Sequence, residues 1–508
     1  MSFSVSNISS NNVTSVSLSG DNGIASIDSG GIYYTNNLGA TWTQSPGIIG
    51  NFDSVFLSGS NGIAGSSSFD GLYYSTNSGS GFSTWTQSTL TVGGATSGNF
   101  YTVALSGMNA IAASSFDDIG IYYSTNSGQT WTQSLSLTNG NFYSVALSGA
   151  NGIAGSNSTN GIYYSTNSGQ TWTRSTEIDG ITPITGDFYS VSLSGTNAIA
   201  GSSTGFGIYY SINSGSGFSI WTRSTDGTNP ITGDFYSVSL SGANGIAGSG
   251  TDNDGIYYTT NSGQTWAKSD LIAGNLMVAL SGSIAVATAS NWTGSPNSSA
   301  GIYRSLTYGQ TWTQTNVSTG FFNSVSLSSS RAIAGGVSNN GIYYASSPLC
   351  YGKNTLILIL ENEVEVYRKI CELKVGDIVK TYKHGYKKIK MIKSFNYHTY
   401  NITRLKRCMY RMKDHNVIVT GKHGLLVDEI TTEEIKNIKK CGTSVRCIDD
   451  KKVLPACASD KFEKITNIFE FELWHFVLEN DDESKNYGIY ITDGILSESC
   501  SEKAFLSA

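Results

Sequence analysis

Through the first 349 residues apolar and polar positions alternate in short runs, and the same order of runs returns along the whole stretch. One copy reads Phe142-Tyr-Ser-Val-Ala-Leu-Ser-Gly-Ala-Asn-Gly-Ile-Ala-Gly, then Gly161-Ile-Tyr-Tyr-Ser-Thr-Asn-Ser-Gly-Gln-Thr-Trp172. Each copy offers four strand-compatible runs, of the type Ser-Val-Ala-Leu-Ser, Gly-Ile-Ala-Gly, Gly-Ile-Tyr-Tyr-Ser and Thr-Trp-Thr-Gln-Ser, divided by Asn, Gly and Ser. Period-two alternation bounded by turn residues predicts strands and hairpins. The closing tryptophans are Trp42, Trp85, Trp131, Trp172, Trp221, Trp266 and Trp312, 41 to 49 residues apart. Four strands in such a period is the measure of one β-propeller blade.

After Trp312 an eighth, partial unit runs from Phe322 to Tyr344 and supplies three strands. The first residues, Phe3 to Ile8, can supply the fourth, which would leave no open sheet edge. Eight blades closed in this way is the favoured expectation; seven blades plus a spare hairpin is the alternative.

Beyond residue 349 the pattern changes. Strand-like runs rich in β-branched residues cover Leu356 to Tyr382 and Asn416 to Val427. Thr431 to Lys440 reads as a short helix, with threonine caps, acids in its first turn and lysines in its last. Asp493-Gly494 between Ile-Tyr-Ile and Ile-Leu reads as a tight hairpin turn. The expected fold class is therefore all-β: a propeller over 1–349 followed by a compact β module over 350–508.

Composition sharpens the boundary. Residues 1–349 hold no cysteine, no histidine and one lysine, Lys268, and carry 14 acidic against 5 basic side chains. Residues 350–508 hold all seven cysteines, all five histidines and 26 of the 31 basic residues. Neither part is basic enough to imply a nucleic-acid partner. The N-terminus lacks the charged and apolar regions of a secretory signal, and the longest aliphatic run, Leu356 to Leu360, is too short for a transmembrane segment. Seven irregularly spaced cysteines suit free thiols in a soluble protein made in a reducing compartment. Cys441 and Cys447 lack zinc-pair spacing, so no metal and no cofactor is expected.

Two resemblances add to this reading. Ser124-Thr-Asn126-Ser-Gly128-Gln-Thr130-Trp131 resembles the Asp-box (BNR repeat) of sialidase-like propellers, with Asn for Asp at Asn37, Asn77, Asn126, Asn167, Asn213 and Asn261, and Thr307 in the seventh copy. The second and fifth copies carry insertions, Gly81-Phe82-Ser83 and Gly217-Phe218-Ser219. Sialidase chemistry needs an arginine cluster and a tyrosine–glutamate pair. With only Arg174, Arg223, Arg304 and Arg331, and Glu177 as the sole glutamate, within residues 1–349, that activity is not expected. A binding or display role is, with a carbohydrate or surface glycan as the ligand.

Cys350-Tyr-Gly-Lys-Asn-Thr355, Leu373-Lys-Val-Gly376-Asp377-Ile-Val379, Thr420-Gly-Lys-His423 and the Asn486 to Leu496 hairpin, in that order, resemble the Hint (hedgehog/intein) autoprocessing family. The resemblance implies that Cys350 attacks the Leu349–Cys350 peptide bond in an N-to-S acyl shift, with the propeller as substrate. It implies that His423 protonates the leaving nitrogen and Thr420 orients it. By the same match Glu470 corresponds to a thiol-tuning aspartate, unless it shares a solvated strand face with Glu472. His475 is a further catalytic candidate, or else a packed histidine. Inteins end in His-Asn, where this chain has Glu498 and Ser499, so splicing is not expected. Water or an external nucleophile would then take the acyl group. The competing expectation is a non-catalytic adhesive or structural protein with a degenerate Hint fold.

Overall fold

The chain divides into two compact units, Phe3–Ala345 and Ser346–Ala508. The computed structural model describes residues 3–500 except 10, 21, 38, 67–70, 77–80, 92–97, 115–118, 158–159, 204, 214–216, 251–254, 270–273, 291–299, 329–330, 339, 346–350, 399–407, 416, 442–443, 467–469 and 481–484. Leu349 and Cys350, the expected cleavage site, lie outside the described residues.

Among its described residues the first unit contains eight separate, mainly antiparallel sheets, seven of them built from strands consecutive in the chain. The first blade, for instance, joins Val13–Ser19, Asn22–Ile27, Gly31–Thr35 and Thr43–Gln44 in that order. The eighth takes three strands from Phe321–Ser328, Arg331–Val337 and Ile342–Ala345. Its fourth is Ser4–Val5, paired through Ser4 with Tyr344 and Val5 with Tyr343. The eight-bladed closure is thus the one formed. The third blade has a further strand, Thr89–Leu90, added in parallel to Thr130–Gln133.

Apolar side chains fill the spaces between blades. Ile63 and Leu72 of the second blade pack with Phe100, Val103, Tyr122 and Trp131 of the third. The last hairpins of the first, third, fourth, sixth and seventh blades are fastened alike. In the fourth, Asn167 Oδ1 accepts from Thr171 N at 3.0 Å, Ser165 Oγ accepts from Gly169 N at 3.0 Å, and Trp172 Nε1 donates to Gly169 O at 3.0 Å. Gly169 has φ +86°, and a Cβ there would lie 2.5 Å from Ile111 of the preceding blade. Glycine is required on both counts. The inserted Phe82 and Phe218 are fully buried, and their carbonyls take over the tryptophan bond from the glycine.

The first strands of successive blades meet around the ring, each with backbone N–H groups on the edge facing its neighbour. Serine supplies their partners. Ser15 Oγ accepts from Val55 N, Ser190 Oγ from Val238 N and Ser237 Oγ from Val278 N, at 3.0 to 3.2 Å. At the closing junction Ser324, Ser326 and Ser328 accept from Val16, Leu18 and Gly20.

Among the described residues the second unit holds one fourteen-stranded sheet, thirteen strands along a continuous path and Val364–Lys369 branching from Leu356–Glu361, all antiparallel to their neighbours. Its α-helix, Thr432–Lys440, starts at a capping box between Thr431 and Glu434, as the threonine-then-acid order predicts. Asp493 (φ +56°) and Gly494 (φ +78°) turn the hairpin between Gly488–Ile491 and Ile495–Glu498. No helix among the described residues is long and apolar enough to cross a membrane.

Replacing Ser324 by alanine leaves the Val16 N–H of the closing junction without its acceptor. Urea unfolding of the full chain is expected to show a loss of about 1–3 kcal/mol, largely restored by Ser324→Thr. Equal midpoints for wild type and Ser324→Ala would show that the junction does not depend on this bond.

Candidate functional site

The short strand Tyr351–Gly352, immediately after the expected cleavage position, lies between two others. Tyr351 pairs with Val419 of Ile418–Thr420 on one side and with Trp474 of Glu470–Leu478 on the other. These flanking strands carry Thr420 and His475 respectively. Beyond Thr420 the chain turns, with His423 N donating to Thr420 O at 2.9 Å, and enters Gly424–Val427. The turn brings the His423 ring to 4.0 Å from the Tyr351 ring, centroid to centroid. Thr420 and His423 are therefore gathered beside the residue that follows Cys350.

His423 is buried, at 2 % exposure. Its Nε2 lies 3.0 Å from the carbonyl oxygen of Glu498. A carbonyl can only accept, so Nε2 bears the proton, and Nδ1 is the nitrogen whose protonation can change. The same Glu498 carbonyl accepts from Tyr351 Oη at 2.7 Å, and Tyr351 Oη lies 3.0 Å from Ser497 Oγ. Burial, with the Glu498 charge nearby, pushes the Tyr351 phenol well above its ordinary value, so it stays a donor.

Glu498 is itself fully buried, at 0 % exposure. Its carboxylate receives both terminal nitrogens of Arg446, each at 2.9 Å, and Gly424 N at 3.0 Å. A buried carboxylate is tolerated only with such compensation. One residue thereby fixes the His423 ring through its carbonyl and the next backbone amide through its side chain. The neighbouring Glu498 charge raises the Arg446 pKa.

Ser499, next in the chain, is also buried and tied into the fold. Ser499 Oγ accepts from Tyr487 N at 2.8 Å, and Ser499 N donates to Tyr487 O. Burial, with help from the Glu498 charge, pushes the Cys500 thiol up to about 12, which holds it protonated at neutral pH. Thr420 Oγ1 is buried with no hydrogen-bond partner among the described residues. Glu470 lies at the start of Glu470–Leu478, opposite His398; its side chain falls outside the described set. Glu472 is half-buried and meets Lys353 at 3.4 Å. His475 is buried opposite Lys393, and burial followed by that lysine's charge lowers it to about 3.

Tyr351, Arg446 and Ser497 were not foreseen as parts of this cluster. Tyr351 is separated from Ser497 by 146 positions and Arg446 from Glu498 by 52. Only the lone arginine beside a strand and the glutamate in a hydrophobic hairpin could have pointed to a buried pair.

Among solved structures the chain is similar in fold to the computationally designed Ika8 protein, at 10% identity and TM-score 0.50, over 67% of this chain and 98% of that one. Sqt1 of Saccharomyces cerevisiae follows at 10% identity and TM-score 0.48, over 68% and 97%. YCF48 from Cyanidioschyzon merolae has 16% identity and TM-score 0.40, over 68% and 98%. The Ika8 likeness speaks to the fold alone. No protein-family model and no curated protein matches the sequence.

The low His475 value has a consequence for stability. The folded chain keeps this imidazole neutral down to about pH 3, while the unfolded chain takes up the proton near the ordinary value of about 6.5. Between those values the unfolded state binds more protons, so stability falls as pH drops below about 6.5, by up to about 1.4 kcal/mol per pH unit. Above that window His475 contributes no slope. Unfolding of His475→Gln at pH 7.5 and pH 5.5 is expected to show a shallower decline than wild type; identical declines would place the proton uptake elsewhere.

Proposed function

We propose that this is a self-processing protein, in which a Hint-like module beginning at Cys350 cleaves the Leu349–Cys350 bond and frees the propeller. The observation that carries this reading is the convergence of His423 and Thr420 on Tyr351, the residue bonded to Cys350. The buried, unpartnered Thr420 hydroxyl adds support, because such groups are rare unless a reacting group or solvent is to meet them. The Asn- and Thr-centred hairpin bonds of the blades likewise support kinship of the first unit with Asp-box propellers.

In the proposed reaction the Cys350 thiol attacks the Leu349 carbonyl carbon. The new S–C bond forms, the C–N bond breaks, and the thiol proton reaches the leaving nitrogen through His423 Nδ1. Proximity of thiol and carbonyl along the chain replaces the entropic cost of a bimolecular encounter. Protonation of nitrogen prevents its return and is the contribution of a general acid. Water then adds to the thioester carbonyl, the C–S bond breaks, and the thiol regains its proton. Leu349 is left as a carboxylate, or as an amide or ester if an external amine or alcohol attacks instead.

The second half of an intein reaction lacks its means in this chain. Ser499 cannot form a succinimide, its hydroxyl holds Tyr487, and the Cys500 thiol is protonated in the interior. One-sided release follows. A binding or display role, with a surface glycan as ligand, remains the proposal for the freed propeller.

Hydroxylamine capture separates the roles. Full-length protein treated with hydroxylamine is expected to give a fragment ending in Leu349 hydroxamate, at a rate lowered about 100-fold or more in His423→Ala. Glu498→Gln, which keeps the carbonyl but removes the charge facing Arg446, is expected to slow capture less than His423→Ala. Equal rates for wild type and His423→Ala would remove His423 from the mechanism.

A further inference from the structure

The repeat acts as an internal control, because a residue demanded by the blade fold appears in every blade. In six blades the start of the first strand has a one-residue bulge just after a buried residue. The bulged residues are Thr14, Asp53, Tyr143, Tyr189, Tyr236 and Asn323. Thr14, Asp53 and Asn323 show that the bulge itself needs no aromatic. Bulges re-aim side chains away from the pleat. Here three consecutive blades use them to present tyrosines as one row.

The row is continuous. The Tyr143 and Tyr189 rings stack at 4.3 Å with 6° between their planes, and Tyr189 meets Tyr236 at 5.0 Å and 69°. Tyr189 remains 37 % exposed.

Charge departs from the repeat in the same sector. The residue before the buried phenylalanine is Asn51, Asn99 and Asn141 in the second to fourth blades, but Asp187 and Asp234 in the fifth and sixth. The position serves as a loop cap: Asn51 Oδ1 accepts from Ser29 N at 2.7 Å, and Asp234 Oδ1 accepts from Gly205 N at 2.9 Å. An amide oxygen meets that need, so the negative charge is additional to it. The connections leading into these two aspartates are braced from within: Arg174 donates to Ile184 O, and Arg223 donates to Gly205 O and Ile231 O. Residues 174–236 thus carry five acidic side chains against two arginines, each of which donates to backbone carbonyls through one terminal nitrogen. Phe206, 40 % exposed, lies beside the same connection at Gly186.

We propose that the Tyr143–Tyr189–Tyr236 row, with Asp187 and Asp234, is a docking site for a cationic side chain, an arginine or lysine displayed on a peptide partner. Charge complementarity selects this occupant. Carboxylates and phenol oxygens accept from every guanidinium or ammonium donor, and aromatic rings attract the cation. Because the Tyr143 and Tyr189 rings cover each other, a flat face for stacking a neutral sugar is not what the row offers. The Tyr143 phenol is kept neutral: burial, then the bond to Tyr189 and the nearby charges, lifts it to about 12. Burial and then Asp234 raise Tyr236.

Titration calorimetry of the full-length protein with Gly-Arg-Gly-Arg-Gly, at about 0.15 M salt to screen diffuse attraction, tests this. Binding is expected for that peptide and absent for Gly-Gln-Gly-Gln-Gly. Tyr189→Ala, and separately the pair Asp187→Asn with Asp234→Asn, which preserves the caps, are expected to weaken it about tenfold. Asp53→Asn, on a blade outside the row, is expected to leave it unchanged. The proposal is overturned if the arginine peptide does not bind, if Asp53→Asn weakens it as much as the pair does, or if a neutral oligosaccharide such as chitotetraose binds instead and is lost in Tyr189→Ala.

Discussion

A ring of sheets has a difficulty that a single sheet does not: the innermost strand of every blade leaves half its backbone donors facing the next blade. In this propeller the hydroxyl of one residue answers it. Ser15, Ser54, Thr102, Ser144, Ser190, Ser237 and Ser324 each accept from the valine N–H of the following blade. The remaining junction, from the seventh blade to the eighth, has Met277 in that place, in a first strand that pairs with its neighbour without the bulge. Buried N–H groups left unpaired cost about 1–3 kcal/mol each, so the repeated Ser-Val is as much a part of the fold as its tryptophans. The closing junction joins residues 308 apart, and the Ser4–Val5 strand seals the same blade.

Much of this was legible because a propeller is local. Each blade is one hairpin after another, so period, turn residues and the missing eighth-blade strand all lie in the sequence itself. The alternation Ser-Val-Ala-Leu-Ser revealed strands, but not that its serines reach across to another blade. That requires knowing which strand edge is free. The inserted phenylalanines likewise gave no local sign that they would replace a glycine as the tryptophan's anchor and fill the core.

The module beyond residue 350 was legible in its order of elements and less so in its chemistry. Thr420 and His423 are three apart, and their gathering beside Tyr351 follows from two strand pairings. Glu498 was read only as the absence of a histidine. In the structure it is a buried charge held by Arg446, aligning His423 from one side and Gly424 from the other. Long-range ion pairs leave no period in a sequence, which is why this contact was missed. The same interior keeps His475 neutral and Cys500 protonated, through burial in both cases.

The account rests on a reactive Cys350 next to Tyr351. Intact-mass measurement of freshly expressed wild type beside Cys350→Ala tests it most directly. The account predicts that wild type separates into one fragment ending at Leu349 and another beginning at Cys350, and that Cys350→Ala remains a single full-length chain. A wild-type chain that stays whole in the presence of added thiol would contradict it.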